Sequence, residues 1–282
     1  MTTPLEYIRR GLRWLDRMMR ITSQLNLGLL SAGVAFFGLL AFFPALGALV
    51  TLWGAFADPA VIEAQIGAYD QLVPDPATHA IATRLHNLAQ QPKPALGLAS
   101  VTSFLLALWV SRLAVAGLIR AMNAVYRTDA RGPLRHNGLS IALTLLLMGV
   151  AMVAIATIFF VPLAGQVFLN MPPPGAGVEL MRWCVAMAAA GFGLAVVYRY
   201  GPNRAPQRTP WLSFGAAFAL LSWGAASWGF AAFLQLHNRY DIVYGSLGTS
   251  VAMLLWFYIT AYVVVLGGLL NAEIEGVDLD SP

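Results

Sequence analysis

The chain has 282 residues, 59% of them hydrophobic and only 11% charged, with a formal net charge of +4. A water-soluble domain is roughly 45–50% apolar and about 25% charged, so this composition excludes disorder, a disulfide scaffold and a typical cytosolic enzyme. A single cysteine, Cys184, leaves no partner for an internal disulfide or a thiol-based metal site, and reads as a packing residue in an apolar run.

The first element in chain order is amphipathic. Leu5, Ile8, Leu12, Leu15 and Met19 recur at spacings of three and four, with Arg10, Arg13, Arg17 and Arg20 on an adjoining face and Arg9 nearby. The pattern predicts a helix over 4–22 lying in the membrane interface, its arginines against anionic headgroups. No cleavable signal is expected, because the first apolar run starts near Leu27 behind five arginines and is too long for one.

Six apolar segments follow, at about 27–52, 97–119, 139–164, 181–199, 211–236 and 246–270. Each approaches or exceeds the roughly 20 residues that cross a bilayer core as a helix. Backbone polar groups in lipid must be paired within the segment, and the alternation of a barrel strand is absent, so the expected fold is all-α with six transmembrane helices. The expected organisation is one membrane domain over 1–282: an interfacial helix within 1–26, the bundle over 27–270, and an acidic tail over 271–282. The long loop 53–94 is expected to form two short amphipathic helices, around Ile62, Ile66 and Tyr69 and after the Asp75-Pro76 start signal. Pro44 and Pro162 are the candidate helix breaks. Small-residue pairs at Gly28/Ala32, Ser31/Ala35, Gly215/Ala219 and Ala225/Gly229 suit close helix approach.

Loop charge sets the expected orientation. Arg9, Arg10, Arg13, Arg17, Arg20, Arg120, Arg127, Arg131, Arg135, Arg199, Arg204 and Arg208 fall on one side, and Arg84, Lys93, Arg182 and Arg239 on the other. The asymmetry predicts both termini in the cytoplasm. That leaves Arg112 as the one cation expected within a span. It must have a partner, water or a headgroup beside it, by snorkelling, by structural pairing or by contact with an anionic ligand. Asn271 and Glu273, at the end of the sixth segment, are its expected partners. Ser111, Asn123, Tyr126 and Ser31 complete the candidate lipid-contact set, which would favour transport if it lined a cavity open to lipid.

Several stretches resemble the YihY/BrkB family of bacterial inner-membrane proteins. They are Gly33-Val34-Ala35-Phe36-Phe37 with Phe42-Phe43-Pro44; Ser111-Arg112 leading to Arg120-Ala121-Met122-Asn123-Ala124-Val125-Tyr126; Tyr198-Arg199-Tyr200 with Pro202-Asn203-Arg204; and Tyr244-Gly245-Ser246 through Leu255-Trp256-Phe257-Tyr258 to Leu266-Gly267-Gly268 and Asn271. Leu269 stands where the family pattern has an acidic residue, and Gly38 and Ala41 replace polar ones. The resemblance implies a bacterial inner-membrane bundle, with transport of lipids or small solutes as the proposed activity beside an older ribonuclease label.

The residues themselves speak against ribonuclease chemistry. His79, His86, His136 and His237 form no metal-spaced pair, and no phosphate loop or nucleophile motif occurs. The expectation is a transporter or flippase-like facilitator without catalytic residues, metal or other cofactor. Its expected partners are anionic membrane lipids at the cytoplasmic face, with a homo-oligomer as an option and no nucleic acid. A non-transporting envelope assembly protein is the alternative.

Overall fold

A computed structural model describes residues 4–54, 93–160, 175–204, 209–236 and 248–279. Seven α-helices occupy most of them: α1 (Pro4–Gln24), α2 (Leu27–Gly54), α3 (Lys93–Val125), α4 (Pro133–Ile155), α5 (Ala176–Tyr200), α6 (Phe214–Leu236) and α7 (Gly248–Ile274). A π-helical turn, Ala156–Phe160, continues α4. No strand occurs among the described residues. Helices α2 to α7 each contain a stretch long and apolar enough to span a membrane. Leu29, Phe36, Leu105, Trp109, Leu145, Leu221 and Trp228 stand exposed around the bundle. In water that surface would be an aggregation liability; in lipid it is the expected exterior. The expected loop helices within 53–94 and the break at Pro162 lie outside the described residues, while Pro44 sits inside a continuous α2.

Several helices run past the ends of the apolar segments that predict them. Helix α3 extends to Val125 and carries Arg120, α4 begins at Pro133, and α5 begins at Ala176. Hydropathy ends where charge begins, but the hydrogen-bonded ladder continues to a stop signal. For α3 that signal is a Schellman turn: Thr128 N–H donates to the Asn123 carbonyl at 3.0 Å, with Arg127 at φ 48°. Helix α7 ends the same way, Val277 N–H donating to the Ala272 carbonyl at 3.0 Å and Gly276 at φ 73°, where glycine meets no Cβ penalty. At about 1.5 Å per residue the 33-residue α3 is about 50 Å long, well beyond a roughly 30 Å hydrocarbon core.

Each of α2 to α6 packs on its successor, and α7 closes the bundle against α6, α2 and α3. The main core gathers at one end: Met18 and Ile21 of α1, Leu27, Met122, Val125 and Tyr126, Val197 and Tyr198, Ala216, Val265 and Leu269, and Leu279 beyond α7. This basal end holds α1 and the segment after α7 together. The α6–α7 approach depends on missing side chains. A Cβ on Gly215 would overlap the Gly267 carbonyl and stand 2.6 Å from Asn271 Oδ1, and one on Gly267 would meet Ala219 Cβ at 3.0 Å. The Gly215/Ala219 pair thus does what its spacing suggests, whereas nothing lies near Gly229.

One expectation needs correction. Arg112 is not the only cation within a membrane-spanning helix. Because α5 starts at Ala176, Arg182 lies inside it, 2% exposed, paired with Glu179 at 2.6 Å one turn earlier. Arg182 Nε also donates to the Thr157 carbonyl at 3.3 Å, and its Nη2 to the Ile158 carbonyl, both in the π-turn.

Candidate functional site

The polar residues singled out by sequence concentrate at the basal end but separate into distinct sites. Asn271, buried on α7, accepts the Gly215 N–H at 2.8 Å and donates to Ser213 Oγ at 3.0 Å, clamping the start of α6. Glu273, two residues further on, pairs with Arg17 of α1 at 2.5 Å. Neither is the hydrogen-bond partner of Arg112. That guanidinium donates to Asn137 Oδ1 of α4 at 3.2 Å and stands 5.1 Å over the Trp109 ring, while its Nε is buried without an acceptor. Reaching the second turn of α4 brings the Arg112 charge toward the basal end, which is the behaviour of a snorkelling arginine.

Asn123 Oδ1 accepts the Asn203 N–H at 2.9 Å and the Thr128 hydroxyl at 3.2 Å. Ser31 is buried on α2 with no partner for its hydroxyl, and Ser111 is half-buried on α3. Arg112 thus turns to Asn137 and Trp109, and Asn123 to Asn203 and Thr128; neither of the two cavities described below is lined by Arg112, Ser111, Ser31 or Asn123.

Tyr126 belongs to a further network that its position in the sequence does not announce. Arg204 stacks 3.8 Å over the Tyr126 ring and pairs with Glu275, whose other oxygen accepts the Thr209 hydroxyl at 2.9 Å. Burial first, and the Glu275 carboxylate second, hold the Tyr126 phenol well above its ordinary range, so it stays neutral. Arg127 donates to the Leu279 carbonyl at 2.7 Å, tying the α3 stop to the segment after α7. Arg199 donates to the Thr209 carbonyl at 2.8 Å and lies 4.9 Å over Trp211.

The turn between α3 and α4 is held by Arg131. It donates to the carbonyls of Gly201 at 2.7 Å, Tyr200 at 3.1 Å and Pro202 at 2.6 Å. Burial lowers its proton affinity by removing hydration from the charged form. Beside it opens a cavity of about 380 Å³ lined by Arg131, Gly132, Arg135, Leu139, Asn203 and Arg204, with Ala130 and Tyr200. Sequence reasoning missed this cavity, although the arginine run of the turn was visible.

A larger groove, about 660 Å³, separates α1 from the bundle. Leu15, Met18 and Met19 form one wall; Leu29, Phe218, Tyr262, Leu266 and Leu270 form the other; Thr22, Ser23 and Asn26 supply polar edges. Of the α1 arginines, Arg17 holds Glu273, Arg20 pairs with Asp16 of its own helix at 3.2 Å, and Arg13 Nε donates to the Arg9 carbonyl at 3.3 Å. The side chain of Arg10 lies outside the described residues. Among those described, no three His, Cys, Asp or Glu side chains gather as metal ligands.

Six apolar helices around a basal core, flanked by an amphipathic helix, define a multi-pass integral membrane protein. The family model described as "Virulence factor BrkB" matches residues 19–281, and the chain belongs to that family. It is 24% identical over 251 residues to the "Putative ribonuclease-like protein YfkH" of Bacillus subtilis, covering 86% of this chain and 88% of that one. It is 26% identical over 259 residues to a "UPF0761 membrane protein" of Verminephrobacter eiseniae, covering 89% of this chain but 60% of the longer relative. A "UPF0761 membrane protein" of Delftia acidovorans is 23% identical over 254 residues, 88% of this chain and 58% of the relative. No solved structure matches.

Proposed function

We propose that this BrkB-family protein is a facilitator of lipid or amphiphile movement in the bacterial inner membrane, with both termini cytoplasmic. The observation that carries the reading is the groove beneath α1. It is mostly apolar, polar at one edge, and bounded by a helix whose Met18 and Ile21 enter the core while Arg17 pairs with Glu273. An acyl chain suits the apolar walls, and a headgroup suits the edge formed by Thr22, Ser23 and Asn26. The reading is not enzymatic. Glu273 and Glu275 are both held by arginines, which leaves neither of these basal carboxylates free to act as a general base.

The test is exchange of a fluorescent phospholipid between leaflets in vesicles containing the purified chain. Wild type accelerates exchange, and Leu15→Trp or Leu270→Trp, which fill the groove, slow it. Vesicles no faster than protein-free ones would leave the assembly role as the better account. Reporter fusions at residue 75 and at the C-terminus should lie on opposite sides of the membrane; the same side for both would overturn the orientation.

A further inference from the structure

We infer that the α3–α4 corner of the basal end binds a phosphoryl group, either on a lipid headgroup or on a small soluble ester. Arg131 in the turn and Arg135 in the first turn of α4 line its cavity, and Arg112 and Arg120 lie on the adjacent α3, Arg112 reaching Asn137 of α4. The His136 ring stands in the combined field of Arg112, Arg120 and Arg131. Among the described residues none of these four arginines is in a salt bridge, whereas Arg17, Arg20, Arg182 and Arg204 each have a carboxylate. Asp129, close by in sequence, is exposed and joins none of them. Like charges held together without counter-charge repel, and an anion removes that cost.

The corner also has room and direction. The cavity of about 380 Å³ far exceeds the roughly 30 Å³ share of one water, and Arg131, Arg135 and Arg204 line it. Arg131 spends its donors on neutral carbonyls, so its charge is fixed in place without being cancelled. The exposed Arg135 and Arg120 make no side-chain hydrogen bond among the described residues, leaving two planar forks for the three oxygens of a phosphoryl group. Gly132 caps α4 with no side-chain hydrogen bond, so the positive end of that helix faces the same cavity. Leu134, beside Arg135, is 89% exposed and offers an apolar contact next to the exposed guanidinium.

The test is equilibrium binding of phosphatidic acid to the full chain in non-ionic detergent, read by native mass spectrometry. Inorganic phosphate and glycerol 3-phosphate serve as competitors. Arg120→Gln with Arg135→Gln should weaken binding about tenfold, while Arg9→Gln with Arg13→Gln, the same charge change on α1, should leave it within about twofold. Competition by glycerol 3-phosphate at millimolar concentration assigns the site to soluble esters, and lack of competition assigns it to the lipid. Wild-type binding in the α3–α4 variant, equal loss in the α1 variant, or no binding to wild type overturns the inference. The site does not depend on the groove: lost binding with lipid exchange intact would retire the corner alone, and absent exchange with binding intact would retire only the groove.

Discussion

Two corners of the same basal end treat arginine in opposite ways. At the α1–α7 corner and the adjoining residues 201–204, Arg17 and Arg204 are each given a carboxylate, Glu273 and Glu275, and Arg204 and Glu275 are only 10% and 13% exposed. At the α3–α4 corner, Arg112, Arg120, Arg131 and Arg135 receive carbonyls, an amide, a ring face or nothing. Both arrangements satisfy the same excess of positive charge on one side of the chain. Where the charge is cancelled internally it joins helices; where it is left over, it is available to something outside the protein.

The largest effect should come from the cancelled corner. Glu275→Leu leaves Arg204 buried beside Tyr126 without its counter-charge and should cost about 3–5 kcal/mol, read as a large drop in detergent Tm. Adding Arg204→Met should restore most of that loss, since the pair is then replaced by apolar packing. Failure of the double variant to recover would mean that the network does more than neutralise charge. Next in size is Asn271→Leu, which strips acceptor and donor from buried Gly215 N–H and Ser213, for about 1–3 kcal/mol in the same measurement. Arg17→Gln, at a half-exposed pair, should cost at most about 1 kcal/mol. It should nonetheless raise the mobility of a spin label on α1, because that pair fastens the helix. The smallest effect should fall on the other corner: Arg135→Gln should stay within about 0.5 kcal/mol of wild type. A clear destabilisation there would show that Arg135 is structural after all and erase the contrast.

Most of the fold was legible, because a membrane forces a simple code on the sequence. Apolar runs between Leu27 and Leu270 gave six helices, and the 3.6-residue stripe of Leu12, Leu15 and Met19 gave α1. Helix ends were less so, since α3 runs on through Arg120 and α5 starts at Ala176, outside the apolar segments that predict them. The site was only partly visible. Arg112, Asn123, Tyr126, Asn271 and Glu273 do all carry polar interactions, yet their partners come from segments distant in sequence: Asn137, Asn203, Arg204, Gly215 and Arg17. Pairing across 25 to 256 positions is set by how helices are arranged around one another, and a single sequence contains no direct record of that.

The π-turn at Ala156–Phe160 has a consequence for how α4 and α5 are phased. A wider turn frees carbonyls that a regular helix would keep for itself, and here Arg182 takes those of Thr157 and Ile158 while holding Glu179. One side chain on α5 therefore works as a key that fits only the notch in its neighbour. Sliding or rotating either helix by a residue would part the guanidinium from those carbonyls, so this contact ties the register of α4 to that of α5.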